Sequence, residues 1–395
     1  MAAATTIHVP GDSSTIQGGI DLAHNGDTVM VEPGTYTENI NFNGKNITVT
    51  SSAGPLTTII QSAKSGKPVV GFLGTETSNA ALRGFTVQNG IAPYGSSFAG
   101  GVDLGDATAT ISHNIIQNNQ GCFRGHGVRA EGAARIYRNV IQNNGMSDFY
   151  CQGYIGGGLY IGKGTKVIGN WILGNSLEGA GGGIGSLTSS DAVISNNIIR
   201  GNSTAQNITE GRGGGICLEG DSGTLISQNL IAGNTASGGS GISISSGTPS
   251  TRGTSILNNT ILAGAPTDQF GFTVYLQVYG PPAHMLNNIV VGRPGGYGIV
   301  CDTAGHLMDI KNNDGYASGG TGISCAGGVA NISADPLFVS GSNFELQAGS
   351  PVIDSGLDIP GLPSLDLAGN PRLVGSSVDM GAYEYQGGAV PETLH

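Results

Sequence analysis

Short runs of alternating apolar and polar residues recur along most of the chain at intervals of 25 to 32 residues. Each unit contains an apolar residue followed three positions later by asparagine. These asparagines are Asn114, Asn139, Asn170, Asn197, Asn229, Asn259 and Asn288. A self-similar period of this length is typical of a solenoid of stacked coils. An asparagine at the same place in every coil can form a ladder of side-chain amides, which satisfies the backbone of a turn.

A second repeated feature is a glycine followed by an apolar residue near the start of a predicted strand. The apolar residues are Val102, Val128, Leu159, Ile184, Ile216, Ile242, Phe272 and Ile299. Because side chains alternate between the two faces of a strand, we expect these residues to point into the core and the residues after them to point outward. Trp171 directly follows a ladder asparagine, as the apolar residues Ile115 and Val140 do, and we expect it in the core.

The two ends of the chain depart from the repeat. Thr15 to His24 has Ile16, Ile20 and Ala23 at helical spacing, which predicts an amphipathic helix that caps the first coil. Residues 334–386 lose the repeat and gain proline and aspartate, which predicts an irregular C-terminal cap. We therefore predict an all-β fold, a right-handed parallel β-helix with its N-terminal cap over residues 7–333. The C-terminal cap follows over 334–386, and a flexible tail over 387–395.

Composition supports this fold and limits the partners. The chain has 70 glycines and only 11% charged residues, which suits many tight turns around a narrow apolar core. A net charge of -11 with only 16 lysines and arginines argues against a nucleic-acid partner. No apolar stretch reaches the roughly 20 residues that span a bilayer, and Met1 to Thr6 is too short for the apolar region of a signal peptide. We expect a monomer without a membrane span.

Chemically rich residues cluster on the outward side of three neighbouring coils. Asp103, Arg129 and Tyr160 occupy equivalent outward positions, and aligned strands of a parallel sheet lie about 4.8 Å apart. His126 stands where most coils have glycine, and Glu131 and Lys163 lie just beyond the same strands. We call the whole set the charged patch, which contains Asp103, His126, Arg129, Glu131, Tyr160 and Lys163.

Long insertions leave one corner of the coils beside the charged patch. They cover residues 91–99, 120–124, 145–156 and 203–212. Their aromatic residues include Tyr94, Phe98, Phe123, Phe149, Tyr150 and Tyr154. Aromatic faces stack on sugar rings, so we interpret the insertions as one wall of a substrate-binding groove, to which Lys163 also belongs. The alternative is that each aromatic residue packs under its own loop.

Two reactions suit the charged patch. In a glycosidase, one carboxylic acid protonates the leaving oxygen and a second carboxylate activates water, and Asp103 and Glu131 at roughly 8 Å would suit an inverting pair. In a lyase, a base removes the proton next to a uronate carboxylate while a cation neutralises that carboxylate. His126 or Tyr160 would then be base or acid, and Arg129 the cation. The alternative is a solvated row of charges in which Asp103 and Arg129 form an ordinary ion pair.

The five cysteines indicate a disulfide framework. Cys301 and Cys325 occupy equivalent inward positions in neighbouring coils, which is near disulfide distance. Cys122 and Cys151 lie in successive insertions and would form a second bridge, which leaves Cys217 unpaired. Two bridges agree with an oxidising environment outside the cytoplasm. We expect no required cofactor and no zinc site, whereas the excess of carboxylates would suit Ca²⁺.

Segments at both ends resemble a known group of proteins. The N-terminal segments resemble the pectate lyase and pectin methylesterase superfamily, and they are Ile7 to Pro10, Ser14 to Gln17, Gly26 to Val29 and Pro33 to Ile40. The C-terminal segments resemble the tail of secreted bacterial β-helix repeat proteins, and they are Ala334 to Phe338, Gly349 to Gly356 and Asp379 to Glu384. Ala389 to Glu392 is similar to the opening of a bacterial PEP-type sorting signal. The resemblance implies a bacterial β-helix protein that is secreted or at the cell surface.

This resemblance leaves the activity open, because the superfamily contains lyases, hydrolases, epimerases and esterases. The esterase segments Gln-Asp-Thr-Leu and Asp-Phe-Ile-Phe-Gly are absent, and of the polygalacturonase motifs only Gly-His-Gly occurs, at 125–127. We expect a secreted carbohydrate-active enzyme that cleaves glycosidic bonds of a polysaccharide or oligosaccharide. The acidic balance of the chain slightly favours hydrolysis over elimination, and epimerisation stays open. The rival is a non-catalytic cell-surface protein that binds glycan or has a structural role.

Overall fold

The computed structural model describes residues 3–93, 95–146, 154–188, 191–204, 212–220, 223–246, 252–264, 271–278, 282–302 and 308–387. Over this part of the chain the backbone winds through three parallel sheets of 12, 11 and 11 strands. Each coil adds one strand to each sheet, and every strand pairs with its equivalent in the coils before and after. The predicted all-β parallel β-helix is confirmed.

The three sheets follow one another in the order A, B, C within a coil. Sheet A contains Thr6–Val9, Thr28–Val31, Thr48–Ser51, Ala81–Arg83, Thr110–Ser112, Arg135–Tyr137, Lys166–Ile168, Val193–Ser195, Leu225–Ser227, Ser255–Leu257, His284–Leu286 and Asp309–Lys311. Sheet B contains Gly34–Thr37, Thr58–Gln61, Thr86–Gln88, Ile115–Gln117, Val140–Gln142, Trp171–Leu173, Ile198–Arg200, Leu230–Asn234, Thr260–Ala263, Ile289–Val291 and Asp314–Tyr316. Sheet C contains Ile40–Asn41, Val70–Gly71, Val102–Gly105, Val128–Ala130, Leu159–Ile161, Ile184–Ser186, Ile216–Glu219, Ile242–Ser246, Phe272–Val278, Tyr297–Asp302 and Thr321–Ser324.

The predicted asparagine ladder lies in the turn between sheets A and B. Asn139 Oδ1 accepts hydrogen bonds from the Asn114 backbone N–H at 3.0 Å and from Asn114 Nδ2 at 3.1 Å. The same arrangement repeats through every predicted member and continues to Asn313 and Asn331. Each amide thereby satisfies the backbone of a buried turn, as the repeat predicts.

A second ladder, which the sequence prediction missed, lies in the turn between sheets B and C. Its members are Asn119, Asn144, Asn175, Asn202 and Asn234. They end the strands of sheet B, and the long insertions leave the coil directly after them. The ladder therefore holds the base of each insertion at one place beside sheet C.

The core is a continuous column of apolar side chains inside the three sheets. Val102, Val128, Leu159, Ile184, Ile216, Ile242 and Ile299 are fully buried, as predicted. The coil after Ile242 differs, because Val274 and not Phe272 pairs with Ile242. Phe272 is only half-buried and stacks on Tyr275, with ring centroids 5.7 Å apart. Val274 and Phe272 have the same parity, so alternation alone could not choose between them.

Trp171 points outward, so its predicted place in the core is wrong. Its neighbour Ile172 is the fully buried residue of that strand, and Trp171 is 51% exposed. The residues that pair with Trp171 in the adjacent coils are Val140 and Ile198, which are also apolar. Because both columns of sheet B are apolar, the sequence pattern did not show which column faces the core.

The helix predicted at the N-terminus spans Ile16–Leu22 and buries Ile16 and Ile20 against the first coil. Its N-cap, Thr15, accepts a hydrogen bond through its side chain from the Gly18 N–H. No helix in the described part of the chain is long and apolar enough to cross a bilayer.

The C-terminal segment, residues 334–387, runs along the outward side of sheet B and the adjoining turn. Asn287 Nδ2 donates to the Leu357 carbonyl at 2.8 Å, and Gln228 Nε2 donates to the Leu365 carbonyl at 2.9 Å. Phe344 packs on Leu230, several coils before the last one. The segment therefore covers the side of the solenoid, in addition to any role as an end cap. The flexible tail was predicted at 387–395, and all of it after Gly387 lies outside the described residues.

The predicted Cys301–Cys325 disulfide is present. Cys122 is also disulfide-bonded, whereas Cys151 lies outside the described residues. Cys217 is a free, buried thiol, and burial raises its pKa. The sequence therefore predicted both the bridge between the late coils and the unpaired cysteine.

Candidate functional site

The outward row of the charged patch forms as predicted on sheet C. Asp103 pairs in register with Arg129, and Arg129 pairs with Tyr160. Their side chains therefore lie side by side on three neighbouring strands. The insertions stand next to them as short extra sheets, in which Gln120–Gly121 pairs with Gly145–Met146. This arrangement agrees with the predicted wall beside the patch.

Arg129 is the centre of an ion-pair network. Its Nε and Nη2 atoms each lie 2.8 Å from an oxygen of Asp103, and its Nη1 atom lies 3.1 Å from Glu131 Oε1. Burial favours the neutral form of Arg129, but the bonds to Asp103 and Glu131 raise its pKa overall. A bidentate pair of this kind is strong and directional. One guanidinium thus joins both carboxylates of the patch.

Asp103 is almost inaccessible. Only 5% of it is exposed, and its Oδ2 atom also accepts the Ala99 N–H at 2.7 Å. Both carboxylate oxygens are therefore occupied by protein donors under the first insertion. This geometry does not suit the predicted role of Asp103 as acid or base towards a sugar, because no oxygen of its carboxylate faces a groove.

Arg124 completes the network and was not predicted as a site residue. Its Nη1 atom donates to Glu131 Oε1 at 2.9 Å, and its guanidinium lies 5.0 Å from the centre of the Tyr160 ring. The Arg124 side chain is 38% exposed, the most accessible of the paired charges in this network. The sequence contains one indication that Arg124 belongs to the site. Arg124 is the last residue of the insertion 120–124 and directly precedes the Gly-His-Gly at 125–127, so it enters the coil beside the patch.

His126 is fully buried, so its predicted place on the outward patch is wrong. Its ring packs against Gly121, where even a Cβ atom would lie 2.6 Å from His126 Cδ2. Burial lowers its pKa to about 4, although the Ser176 backbone near the ring opposes this shift. Neither ring nitrogen makes a well-formed hydrogen bond within the described part of the chain. The imidazole is therefore neutral at pH 7 and closed off from solvent.

Tyr160 faces outward but is covered. Its ring belongs to a small apolar cluster with Ile155, Ala180 and Cys217, and Arg124 lies over it. Burial raises the pKa of its hydroxyl, which keeps the phenol protonated. Tyr160 in this conformation supports Arg124, and only 3% of it is exposed.

The remaining predicted site residues are only partly described. Lys163 is exposed just beyond the strand Leu159–Ile161, and Phe123 and Phe98 are half-buried. Tyr94, Phe149 and Tyr150 lie outside the described residues, as does the side chain of Tyr154. The prediction that these aromatic residues bind sugar therefore stays a prediction.

Part of the chain matches a known family. Residues 127–315, just under half of the chain, match the family model described as "Right handed beta helix region". Together with the three parallel sheets, this match shows a right-handed parallel β-helix fold. No curated protein is significantly similar to the chain in sequence.

Several solved structures share the fold of this β-helix protein. The pectate lyase Pel9A is 16% identical, with a TM-score of 0.56 over 97% of each chain. The A-module of the Azotobacter vinelandii mannuronan C-5 epimerase AlgE4 is 17% identical, with a TM-score of 0.50 over 82% of this chain and 92% of that one. XylC in complex with xylose is 10% identical, with a TM-score of 0.51 over 96% and 98%. The resemblance to pectate-lyase-like proteins is confirmed at the level of the fold.

The sequence predicts no required cofactor and leaves calcium as the one metal that would suit the carboxylates. Among the described residues of the β-helix protein, no group of three or more His, Cys, Asp or Glu side chains is arranged to hold a metal ion. The carboxylates of the patch are instead paired with Arg124 and Arg129. Calcium therefore stays a prediction without an assigned site.

Proposed function

We propose that this β-helix protein acts on an acidic polysaccharide on the outward side of sheet C. The observation that carries the proposal is the accessible guanidinium of Arg124, which Glu131 and Tyr160 hold beside the wall of insertions. A fixed guanidinium is suited to bind a carboxylate through paired hydrogen bonds. The fold is shared with a pectate lyase and a mannuronan C-5 epimerase, which supports a uronate-containing substrate.

The reaction that we propose is transfer of the proton next to a uronate carboxylate to Glu131, the accessible carboxylate of the patch, which begins both β-elimination and C-5 epimerisation. A bound cation stabilises the negative charge that develops on the carboxylate in this step. Arg124 would supply that cation, and Lys163 is a second exposed cation beyond the next strand. Hydrolysis has less support, because Asp103 of the predicted carboxylate pair is covered and fully hydrogen-bonded.

We further propose that the protein works outside the cytoplasm, as an extracellular or cell-surface protein. The Cys301–Cys325 disulfide supports this location, because such bridges persist in oxidising environments. The proposed substrate is a long polymer, which would be found outside the cell. Sheet C offers such a polymer an open surface, because its outward side runs along several coils.

The proposal is tested with wild type and Arg124→Gln on polygalacturonate, alginate and neutral glucans. Three signals are followed: ultraviolet absorbance of unsaturated uronates, new reducing ends, and solvent deuterium at C5. We expect absorbance or deuterium with an acidic polymer, and a loss of about a hundredfold in kcat/KM for Arg124→Gln. Arg252→Gln is the control, because Arg252 is exposed and paired with Asp191 far along the chain. New reducing ends without the other two signals would contradict the proposed reaction.

The second candidate function is non-catalytic glycan binding. It is favoured by the burial of Asp103, His126 and Tyr160, which leaves few accessible groups for proton transfer on sheet C. Retention of acidic glycan without turnover of any polymer in the panel would support this function and contradict the enzymatic one.

A further inference from the structure

A groove of about 910 Å³ lies on the opposite side of the solenoid from the charged patch. It follows the corner where sheets A and B meet, and the C-terminal segment at residues 363–369 forms its second wall. Its lining includes Ser112, His113, Arg138, Trp171, Asn196 and Asp366. A volume of this size is in the range of ligand-binding clefts.

Trp171 is the most exposed aromatic residue of this groove. It belongs to an outward apolar column of sheet B that runs through Val140, Trp171, Ile198 and Leu230. The C-terminal segment covers this column at Leu230, which is 4% exposed and contacts Phe344, but it leaves Trp171 at 51%. Exposure of the large Trp171 ring to water costs free energy, although a later residue of the same column is covered. The open ring therefore favours binding of a ligand.

The open charges around the groove are positive. Arg83 pairs in register with Ser112, and Arg135 pairs with both Thr110 and Lys166, so these cations flank the groove wall. Arg138 lies in the wall itself. In the described part of the chain none of these four cations has an acidic partner within ion-pair distance.

The one acidic residue of the lining does not neutralise them. Asp366 is 4% exposed, and its oxygens accept the backbone N–H groups of Asn370 and Glu384. Arg83 and Arg138 act together on His113, where burial and these two cations lower the pKa. In a chain with a net charge of -11, this corner is therefore a local concentration of unpaired positive charge.

We propose that this groove is a second binding site for an acidic polysaccharide, with a sugar ring on the face of Trp171 and carboxylates on Arg138 and the flanking cations. The proposal takes its class of ligand from the proposed function, but it needs no reaction at sheet C. Polar side chains such as Ser112 and Asn196 lie between the charges and can bond to sugar hydroxyls. A sugar is therefore a more suitable occupant of the groove than the apolar surface of another protein. A site on the far side of the solenoid would hold a long polymer near the protein while sheet C acts on another part of it.

Trp171 is the only tryptophan of the chain, so its fluorescence reports this groove alone. We expect a saturable shift or quenching of its emission when a defined oligogalacturonate is added, and a weaker response as salt increases. A neutral oligosaccharide of equal length is expected to give a much smaller response. No change with oligogalacturonate, or an equal response to the neutral sugar, would overturn the proposal.

Variants locate the binding. Arg138 has a φ of 51°, a conformation that asparagine tolerates and that other coils fill with asparagine at Asn196 and Asn258, so Arg138→Asn removes the charge without strain. We expect about tenfold weaker binding for Arg138→Asn by fluorescence, and for Trp171→Val by affinity electrophoresis. Lys64→Ala and Tyr297→Val are the exposed controls and should bind as wild type.

Failure of this proposal can be told apart from failure of the proposed function. Arg124→Gln is expected to leave the Trp171 fluorescence response unchanged, because Arg124 ends an insertion beside sheet C, away from the groove between sheets A and B. If wild type shows the Trp171 fluorescence response to oligogalacturonate but no turnover, the second binding site is supported and the enzymatic function is contradicted. If wild type shows turnover, and Trp171→Val and Arg138→Asn bind oligogalacturonate as tightly as wild type, only the second binding site at the groove is contradicted.

Discussion

At the scale of single residues, His126 occupies an unusual environment. A buried imidazole whose two nitrogens make no well-formed hydrogen bond to the described residues carries a desolvation cost that the nearby Ser176 backbone offsets only in part. Nearby Arg129 is fully paired in contrast, since its Nε, Nη1 and Nη2 atoms each donate a hydrogen bond to a carboxylate. Two polar residues only three positions apart therefore affect stability in opposite ways.

We predict that His126→Leu stabilises the protein, most of all in acid. The folded-state pKa of His126 is about 4, below its ordinary value of 6.5, so the unfolded chain binds the proton first as pH falls. Wild type therefore loses stability from about pH 6.5 down to pH 4, by up to roughly 3 kcal/mol from this group. Leucine removes that loss.

Urea unfolding at pH 4.5 and pH 7.5 checks this prediction, with His8→Leu as the exposed control. The gain of His126→Leu over wild type should be larger at pH 4.5. A variant that unfolds more easily, or that loses polysaccharide turnover, would contradict the assignment of His126 as a buried structural residue.

At the scale of repeated elements, the two asparagine ladders determine where each coil turns. Every inner rung accepts from the rung before it and donates to the next, so the energetic effect of one rung depends on its place in the ladder. Asn170 bonds to Asn139, Asn197 and the Ile136 carbonyl. Asn331 ends the ladder and is only partly buried.

We predict that Asn170→Ala lowers the free energy of unfolding by at least about 3 kcal/mol, because three buried groups lose a partner. Asn331→Ala should cost about 1 kcal/mol, since water can reach the groups it leaves. Denaturant unfolding of both variants measures the difference. Equal costs would show that the inner rungs are no more important than the last.

The repeat made the elements predictable to different degrees. The first ladder and the column from Val102 to Ile242 follow from period and alternation alone. Trp171 was misplaced because both faces of sheet B are apolar, one for the core and one for the C-terminal segment. Arg124 and the covering of Asp103 depend on insertions, which have no period, so the patch could be located from sequence but its accessibility could not.

At the scale of the whole molecule, the C-terminal segment joins distant coils. It contacts side chains from Gln228 to Asn312 and buries apolar positions of sheet B that would otherwise face solvent. Phe344 is a principal contact, with Arg200 5.5 Å from its ring centre and Phe338 packed edge-on at 5.5 Å. The solenoid and this segment therefore share buried apolar contacts along the outward side of sheet B.

We predict that Phe344→Ala loosens this segment while the coils stay folded, at a cost of about 3–5 kcal/mol. Hydrogen exchange and limited proteolysis should show faster exchange and cleavage between residues 334 and 387, and the response of Trp171 to oligogalacturonate should weaken. Leu373→Ala is the control, because Leu373 lies in the same segment and is mostly exposed. Uniform loosening of the coils in Phe344→Ala would contradict a separable segment.

The second wall of the Trp171 groove comes from residues 363–369, almost two hundred positions after Trp171 itself. Coils that contact only their neighbours can form in order as the chain emerges from the ribosome or a translocon. The groove, in contrast, cannot exist until residues 363–369 have emerged and folded back. Its ability to hold a ligand thus depends on this distant segment, and a nascent or clipped molecule without residues 363–369 would have every coil around Trp171 but only one wall of the groove.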